Sequence, residues 1–196
     1  SRTAVMLMAY GTPRTTEDIE PYYTHIRRGR APEPQQLADL ISRYDAIGGI
    51  SPLASLTEAQ RAALESALEA RMPGAWTVVL GQKHAYPFIE DGVATLADAG
   101  ITDAVGIVLA PHFSGFSVGE YQRRAAEAGT ERGLTVHGID HWHLESAYLD
   151  FLTAAVRDAL TELPERTTVL FTAHSLPERV LENDPYPDEL AASATY

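Results

Sequence analysis

Short β-rich runs alternate with amphipathic helical patterns along the whole chain of 196 residues. This alternation restricts the chain to α/β folds, because a strand, a helix and a second strand in succession form a right-handed crossover and a mostly parallel sheet. We therefore predict a Rossmann-like parallel sheet with helices on both faces. Five runs are predicted as strands: Ala4–Ala9, Trp76–Gly81, Ala104–Ala110, Leu134–Ile139 and Thr168–Thr172.

The stretches between these strands carry helix start and stop signals. Thr57 and Gln60 have the spacing of a capping box, which predicts a helix beginning there. Pro87 suits a first helical turn, and Gly100 suits the position just beyond a helix end. One further set of residues has the spacing of a buried helix face: Leu37, Leu40, Ile41 and Tyr44.

The order of these elements predicts two lobes. Residues 1–145 are expected to form a first Rossmann-like lobe, and residues 146–196 the start of a second. The stretch Pro187–Tyr196 has the composition of a helix but carries no stop signal. We therefore expect the second lobe to be truncated and the chain to be a fragment of a longer protein.

Charge and cysteine content exclude several classes of function. The chain carries 15 Lys and Arg against 27 Asp and Glu, a formal charge of −12, which argues against binding nucleic acid or inserting into an anionic membrane. The apolar runs are shorter than the roughly 18–20 residues that span a bilayer. The sequence contains no cysteine, so it provides no ligand for an iron–sulfur cluster. A soluble, cytoplasmic, monomeric protein is expected.

Histidines recur just after the predicted strands. Ligands of open α/β sheets bind at the carboxyl ends of the strands, where imidazole is a common metal ligand and a base near neutral pH. The alternative for each histidine is a capping or packing role. His25 is set aside because no strand precedes it. The histidines in question are His84, His112, His141, His143 and His174, and Tyr10-Gly-Thr-Pro13 follows the first strand.

One basic cluster and one turn are candidate anion sites. The segment Arg27-Arg-Gly-Arg30 concentrates three basic residues in an acidic chain, and guanidinium groups bind carboxylates in pairs of hydrogen bonds. A solvated helix end is the alternative for this cluster. Ser51 follows Gly48-Gly49 and either donates to an anion or only shapes the turn. The sequence lacks the glycine-rich nucleotide motifs and the histidine motif of zincins.

Five motifs in register along the chain together resemble the ferrochelatase family. The similarity is greatest to the soluble coproporphyrin ferrochelatases of Gram-positive bacteria and covers roughly the first two thirds of the family's chain. The motifs are Ala9-Tyr-Gly-Thr-Pro13, Tyr22–Arg30, Arg43–Leu53, Ala110-Pro-His-Phe-Ser114 and Ala173-His-Ser-Leu-Pro177.

The resemblance implies insertion of ferrous iron into a porphyrin, most simply coproporphyrin III, in haem biosynthesis. The iron is a substrate, and no organic cofactor is implied. His174 would face the porphyrin centre as the base or a metal ligand, Tyr10 would approach the metal from the opposite face, and His84 would lie on the metal's path. Arg30 would add positive potential. The porphyrin carboxylates would be held by Arg27, Arg28, Arg43, Ser51 and Tyr121.

Three functions stay open on these residues. The first is a ferrochelatase of which this chain is a part. The second is a non-catalytic fragment that binds porphyrin or haem, and the third is another tetrapyrrole chelatase, for sirohaem or cobalt. The family's active-site glutamate lies beyond residue 196, so we expect this chain alone to be a poor enzyme or none.

Overall fold

The computed structural model describes residues 3–196, which contain four β-strands and eight α-helices. The strands are β1 (Thr3–Ala9), β2 (Trp76–Gln82), β3 (Asp103–Val108) and β4 (Thr135–Ile139). The helices are α1 (Ile19–Ile26), α2 (Pro34–Asp45), α3 (Leu53–Arg71), α4 (Ile89–Asp98), α5 (Val118–Arg132), α6 (Ser146–Thr161), α7 (Glu178–Leu181) and α8 (Tyr186–Thr195). A 3₁₀ turn, Thr16–Asp18, precedes α1.

The four strands form one sheet in the order β2-β1-β3-β4. Strand β1 pairs in parallel with β2 on one side and β3 on the other, so it lies inside the sheet. Each of its residues from Ala4 to Ala9 is buried, as expected for a parallel strand covered on both faces. Helices α3 and α4 pack against β2. The α/β class and the parallel sheet are confirmed.

Two of the predicted helix starts are wrong. Helix α3 begins at Leu53 because the hydroxyl oxygen of Ser51 accepts the Leu53 N–H at 3.1 Å, which leaves Thr57 buried inside the helix. Pro87 lies outside α4, because the cap residue of that helix is Phe88, whose N–H donates to the Asp91 carboxylate at 2.8 Å.

Two other helix signals are confirmed. Gly100 directly follows Ala99, the residue that caps the C-terminus of α4. Its φ is +75°, a conformation that glycine adopts without strain. On α2 the four residues at helical spacing are all half-buried, while the residues between them are exposed. The apolar face of α2 is therefore in the predicted place, although it is less covered than a core helix.

The predicted strand Thr168–Thr172 is wrong for this structure. The segment has no regular secondary structure and pairs with none of the four described strands, and Leu170 and Phe171 are 80% and 66% exposed. A high β-propensity means that the side chains pack well on a pleated, half-buried surface. A segment of high β-propensity therefore does not form a strand unless a neighbouring strand pairs with it.

The chain divides into two compact units. One comprises the described residues up to Leu109 together with Tyr121–Gly138, and the other comprises Ala110–Glu120 with Ile139–Tyr196. The sheet belongs to the first unit, and helices α6, α7 and α8 belong to the second. The division into lobes at residue 145 stays a prediction. Among residues 3–196, no helix has both the length and the hydropathy needed to cross a membrane.

Candidate functional site

The first cluster of candidate residues lies where β1 and β2 end. The two strands are parallel neighbours, so their carboxyl ends reach the same edge of the sheet. Beyond the strands, the Lys83 N–H donates to the carbonyl oxygen of Ala9 and the His84 N–H to that of Tyr10, both at 2.9 Å. The rings of Tyr10 and His84 consequently lie side by side, with centroids 4.7 Å apart.

His25 completes this cluster although it lies on helix α1. Its Nδ1 is 3.0 Å from Nδ1 of His84, and its ring stacks on Phe88 with centroids 4.8 Å apart. A hydrogen bond between two imidazole nitrogens needs one protonated and one unprotonated nitrogen, so the pair shares one proton at this contact. Sequence reasoning missed His25 because it considered strand ends only. The available signal is its spacing of three from Tyr22, which places both on one helix face.

Tyr22 lies at the centre of a group of tyrosines. Burial raises the pKa of Tyr22 well above its ordinary value, and the neighbouring phenols of Tyr44 and Tyr10 raise it further. The phenol of Tyr22 therefore keeps its proton across the physiological range and is a fixed hydroxyl donor. Sequence reasoning gave Tyr22 no role.

Two cavities open beside these residues. One, of about 330 Å³, is lined by three predicted site residues: Tyr10, Arg43 and Ser51. The other, of about 460 Å³, is lined by His25 and His84. Tyr22 lines both cavities. The structure thus brings the metal-ligand candidates of this unit next to two candidate carboxylate-binding residues.

Arg43 and Ser51 each make one local hydrogen bond. The Arg43 Nε–H donates to the carbonyl oxygen of Asp39 at 3.3 Å. This bond does not use the two terminal guanidinium nitrogens of Arg43, which lines the cavity. The hydroxyl oxygen of Ser51 accepts the Leu53 N–H at 3.1 Å, and that bond does not use the hydroxyl proton. Ser51 therefore shapes the turn and keeps a donor.

The basic segment Arg27–Arg30 follows the last turn of α1. Arg27 closes a local loop: its Nε–H donates to the carbonyl oxygen of Arg30 at 3.2 Å, and its guanidinium carbon lies 5.5 Å from the Tyr23 ring centroid. Within residues 3–196, none of the three arginines forms an ion pair with a carboxylate. Three uncompensated positive charges in a chain of charge −12 form a local site for an anion.

Tyr121 has a different environment from the other candidate substrate-binding residues. Its side chain is buried, with 4% exposure, and the ammonium group of Lys83 lies 5.3 Å from its ring centroid. Tyr121 lines neither of the two cavities of about 330 and 460 Å³. It supports the chain segment that leads into His84 through this cation–π contact.

Gly11 allows the loop after β2 to approach Tyr10. Its φ is +88°, and an added Cβ would lie 2.8 Å from the Cβ and 2.9 Å from the backbone nitrogen of Ala85. We expect Gly11→Ala to lower the free energy of unfolding by about 2–3 kcal/mol, because backbone strain and a collision with backbone add together. Urea denaturation measures this change.

Gly29 provides the matched control, since its φ is +83° and an added Cβ would meet nothing within 4 Å. Gly29→Ala carries the strain alone and should cost about 1–2 kcal/mol. Equal losses for the two variants would show that the contact with Ala85 does not limit this loop.

An ion pair holds the backbone just before His84. Arg124 donates to both carboxylate oxygens of Glu90, at 2.9 and 2.8 Å, and to the carbonyl oxygen of Lys83 at 3.0 Å. Burial raises the pKa of Glu90, but the hydrogen bonds from Arg124 and the backbone, with the charges of Arg124 and His25, outweigh burial and lower the pKa below its ordinary value.

We expect Glu90→Gln to be less stable than the wild type at pH 7 by about 0.5–1.5 kcal/mol. The expected loss is smaller than for a buried ion pair because the carboxylate is half exposed and solvent screens its charge. A carboxyl group with a lowered pKa stabilises the fold above its unfolded-state pKa, and the effect is lost as the pH falls through the folded-state value. The difference between the two proteins should therefore shrink as the pH falls below the unfolded-state pKa of about 4.3 and vanish once the pH is below the lowered folded-state pKa. Urea denaturation across pH 3–7 tests this, and a pH-independent difference would contradict it.

His174 lies in the second unit, two residues after the segment Thr168–Thr172 that was predicted as a strand. Its side chain is exposed at a cavity of about 230 Å³ that is also lined by His112, Ser117 and Tyr186. Burial lowers the pKa of His112, and the neighbouring His143 lowers it further, so His112 is a neutral imidazole at pH 7. His174 thus follows no strand, but it shares a cavity with a second histidine.

Fold and site together define an α/β protein with imidazoles and phenols at its strand ends and with uncompensated guanidinium groups just after helix α1. Such groups suit a divalent metal together with a carboxylate-bearing ligand. The chain belongs to the ferrochelatase family, whose model, described as Ferrochelatase, matches residues 2–196.

Several curated relatives are similar over nearly the whole chain. The chain is 48% identical over 200 residues to the coproporphyrin III ferrochelatase of Bacillus subtilis (strain 168), covering 98% of this chain and 64% of that protein. It is 47% identical over 202 residues to the one of Bacillus mycoides (strain KBAB4), covering 100% and 65%. It is 44% identical over 199 residues to the one of Oceanobacillus iheyensis, covering 98% and 64%. The chain thus spans just under two thirds of the length of these relatives.

Proposed function

We propose that the protein containing this chain inserts Fe²⁺ into coproporphyrin III in haem biosynthesis, as a ferrochelatase. Family membership and the names of the relatives support this function. The observation that carries it for this chain is the strand-end cluster of Tyr10, His84 and His25 beside a cavity lined by Arg43 and Ser51. A metal and a carboxylate-bearing macrocycle need these two kinds of group close together.

The reaction removes two protons from the pyrrole nitrogens, and Fe²⁺ exchanges its water ligands for the four ring nitrogens. We assign proton removal to His174, because an imidazole is the side chain used most often as a general base. Tyr10 contacts the incoming metal through its phenol oxygen, and His84 with His25 provides nitrogen donors on the metal's path. Both protons finally pass to solvent, so the macrocycle loses two positive charges as protons and gains two as Fe²⁺.

Carboxylate anchors supply the binding energy that holds a distorted ring. We assign this role to Arg27, Arg28, Arg43 and Ser51. Tyr121 positions Lys83 through its cation–π contact. Arginines at the surface suit a water-soluble substrate with four carboxylates. A cytoplasmic, monomeric enzyme without an organic cofactor is part of the same proposal. The absence of cysteine means that an iron–sulfur cluster would take no ligand from this chain.

Optical titration of the full-length protein tests the proposed function. Free-base coproporphyrin III should be bound, and anaerobic addition of Fe²⁺ should convert its four-band visible spectrum to that of the metalloporphyrin. Binding without conversion would indicate a porphyrin-binding protein. Faster conversion with sirohydrochlorin, or with Co²⁺ in place of Fe²⁺, would indicate a different chelatase.

A further inference from the structure

A separate cluster of metal-ligand side chains lies in the unit formed by Ala110–Glu120 and Ile139–Tyr196. His141 and His143 come from the loop after β4, and Glu189 comes from α8. Nδ1 of His141 lies 2.9 Å from Oε1 of Glu189, and Nδ1 of His143 lies 3.3 Å from Oε2. Ligand atoms of all three residues lie within 4.8 Å of one another. Three donor atoms therefore converge on one point.

The burial of this cluster distinguishes it from a surface group of charges. Glu189 is 7% exposed and His143 is 8% exposed. Nδ1 of His143 is buried and has no hydrogen-bond partner, because its contact with Glu189 lacks hydrogen-bond geometry. A buried polar nitrogen without a partner is costly, and such groups require an explanation such as a bound ion.

We propose that His141, His143 and Glu189 bind a divalent transition metal of the zinc class. A tetrahedral ion with ligand bonds of about 2.1 Å separates its ligand atoms by about 3.4 Å. The distances from His141 and His143 to the two oxygens of Glu189, 2.9 and 3.3 Å, are of this size, and the three ligand atoms, now within 4.8 Å of one another, would draw together around the ion. Two imidazoles and one carboxylate are a donor set that Zn²⁺ accepts, and they leave a fourth position for water. None of these residues belongs to the groups assigned to the porphyrin.

Neighbouring groups hold the ligands in place. The backbone N–H of Phe113 donates to Oε2 of Glu189 at 2.6 Å, which orients the carboxylate. The hydroxyl of Ser193 donates to the backbone carbonyl oxygen of His143 at 3.0 Å. Such outer contacts fix the orientation of ligands around a metal. A bound ion would join the loop after β4 to α8 and so stabilise this unit.

The affinity of the full-length protein for Co²⁺, measured from the visible absorption of the bound ion, tests the proposal. His141→Ala should weaken Co²⁺ binding at the proposed site at least tenfold. Replacing even a residue that only holds a metal ligand in place lowers metal affinity about 10- to 100-fold. Its side chain is 58% exposed, so the substitution leaves the packing intact. The matched control is His137→Ala, because His137 is 61% exposed and contacts only Asp103 among the ion pairs of residues 3–196.

Two further measurements separate this site from the proposed reaction. His174→Ala should keep the site, and His141→Ala should keep coproporphyrin binding. Zn²⁺ should raise the Tm of the wild type and of His137→Ala, but not that of His141→Ala, because only a folded protein with the site gains stability from the ion. Equal Co²⁺ affinity and stoichiometry in the wild type and in His141→Ala would overturn the proposal, whether or not the protein proves to be a ferrochelatase.

Discussion

His174→Ala is expected to lower the turnover number for iron insertion by about 10²–10⁴-fold in the full-length protein, the usual cost of losing a positioned general base. The side chain is exposed at a cavity shared with His112, so a substrate can reach it and the substitution leaves no void in a packed core. Alanine cannot accept the pyrrole protons. The affinity for coproporphyrin should change by only a few-fold, because an imidazole is not a carboxylate anchor.

The measurement is the initial rate of metalloporphyrin formation under anaerobic conditions, with porphyrin affinity measured separately by fluorescence quenching. His137→Ala is the control, since His137 lies within β4 and contacts Asp103 at 3.1 Å. A turnover number within a factor of a few of the wild type would show that another group takes the protons. The neutral imidazole of His112 in the same cavity would then be the next candidate.

The sequence predicts the sheet well because its signals there are local and strong. The buried run of β1 is typical of a parallel strand, and its parallel orientation to β2 and β3 follows from the crossover rule, whereas the strand order is given by the structure. The position of Tyr10 beside His84 follows from the same pairing. Residues at strand ends could therefore be found from the sequence.

The other members of these clusters depend on tertiary packing that no local pattern encodes. His25 reaches His84 only because α1 packs beside the strand ends, and the two residues are 59 positions apart. Glu189 meets His141 across 48 positions. The segment Thr168–Thr172 has the composition of a strand, but pairing requires a neighbour that the composition does not specify.

The basic segment after α1 leads to a second large expected effect, on substrate binding. Arg27→Ala is expected to weaken coproporphyrin III binding about 10- to 100-fold, because a charge-assisted hydrogen bond contributes roughly 1.5–3 kcal/mol. Within residues 3–196, Arg27 has no carboxylate partner, so its charge is available to a ligand. Binding by the wild type should weaken as salt rises, and this dependence should be smaller in the variant.

Arg71→Ala is the matched control, because Arg71 is an exposed arginine at the end of α3 that does not line the cavities of about 330 and 460 Å³. Its removal changes the net charge by the same amount and should change the affinity by less than about twofold. Porphyrins with two carboxylates should lose less affinity than coproporphyrin III, which has four, when Arg27 is replaced. Arg27 also donates a hydrogen bond to the carbonyl oxygen of Arg30. Equal losses of affinity for both kinds of porphyrin would therefore show that Arg27 shapes the loop and does not bind a carboxylate.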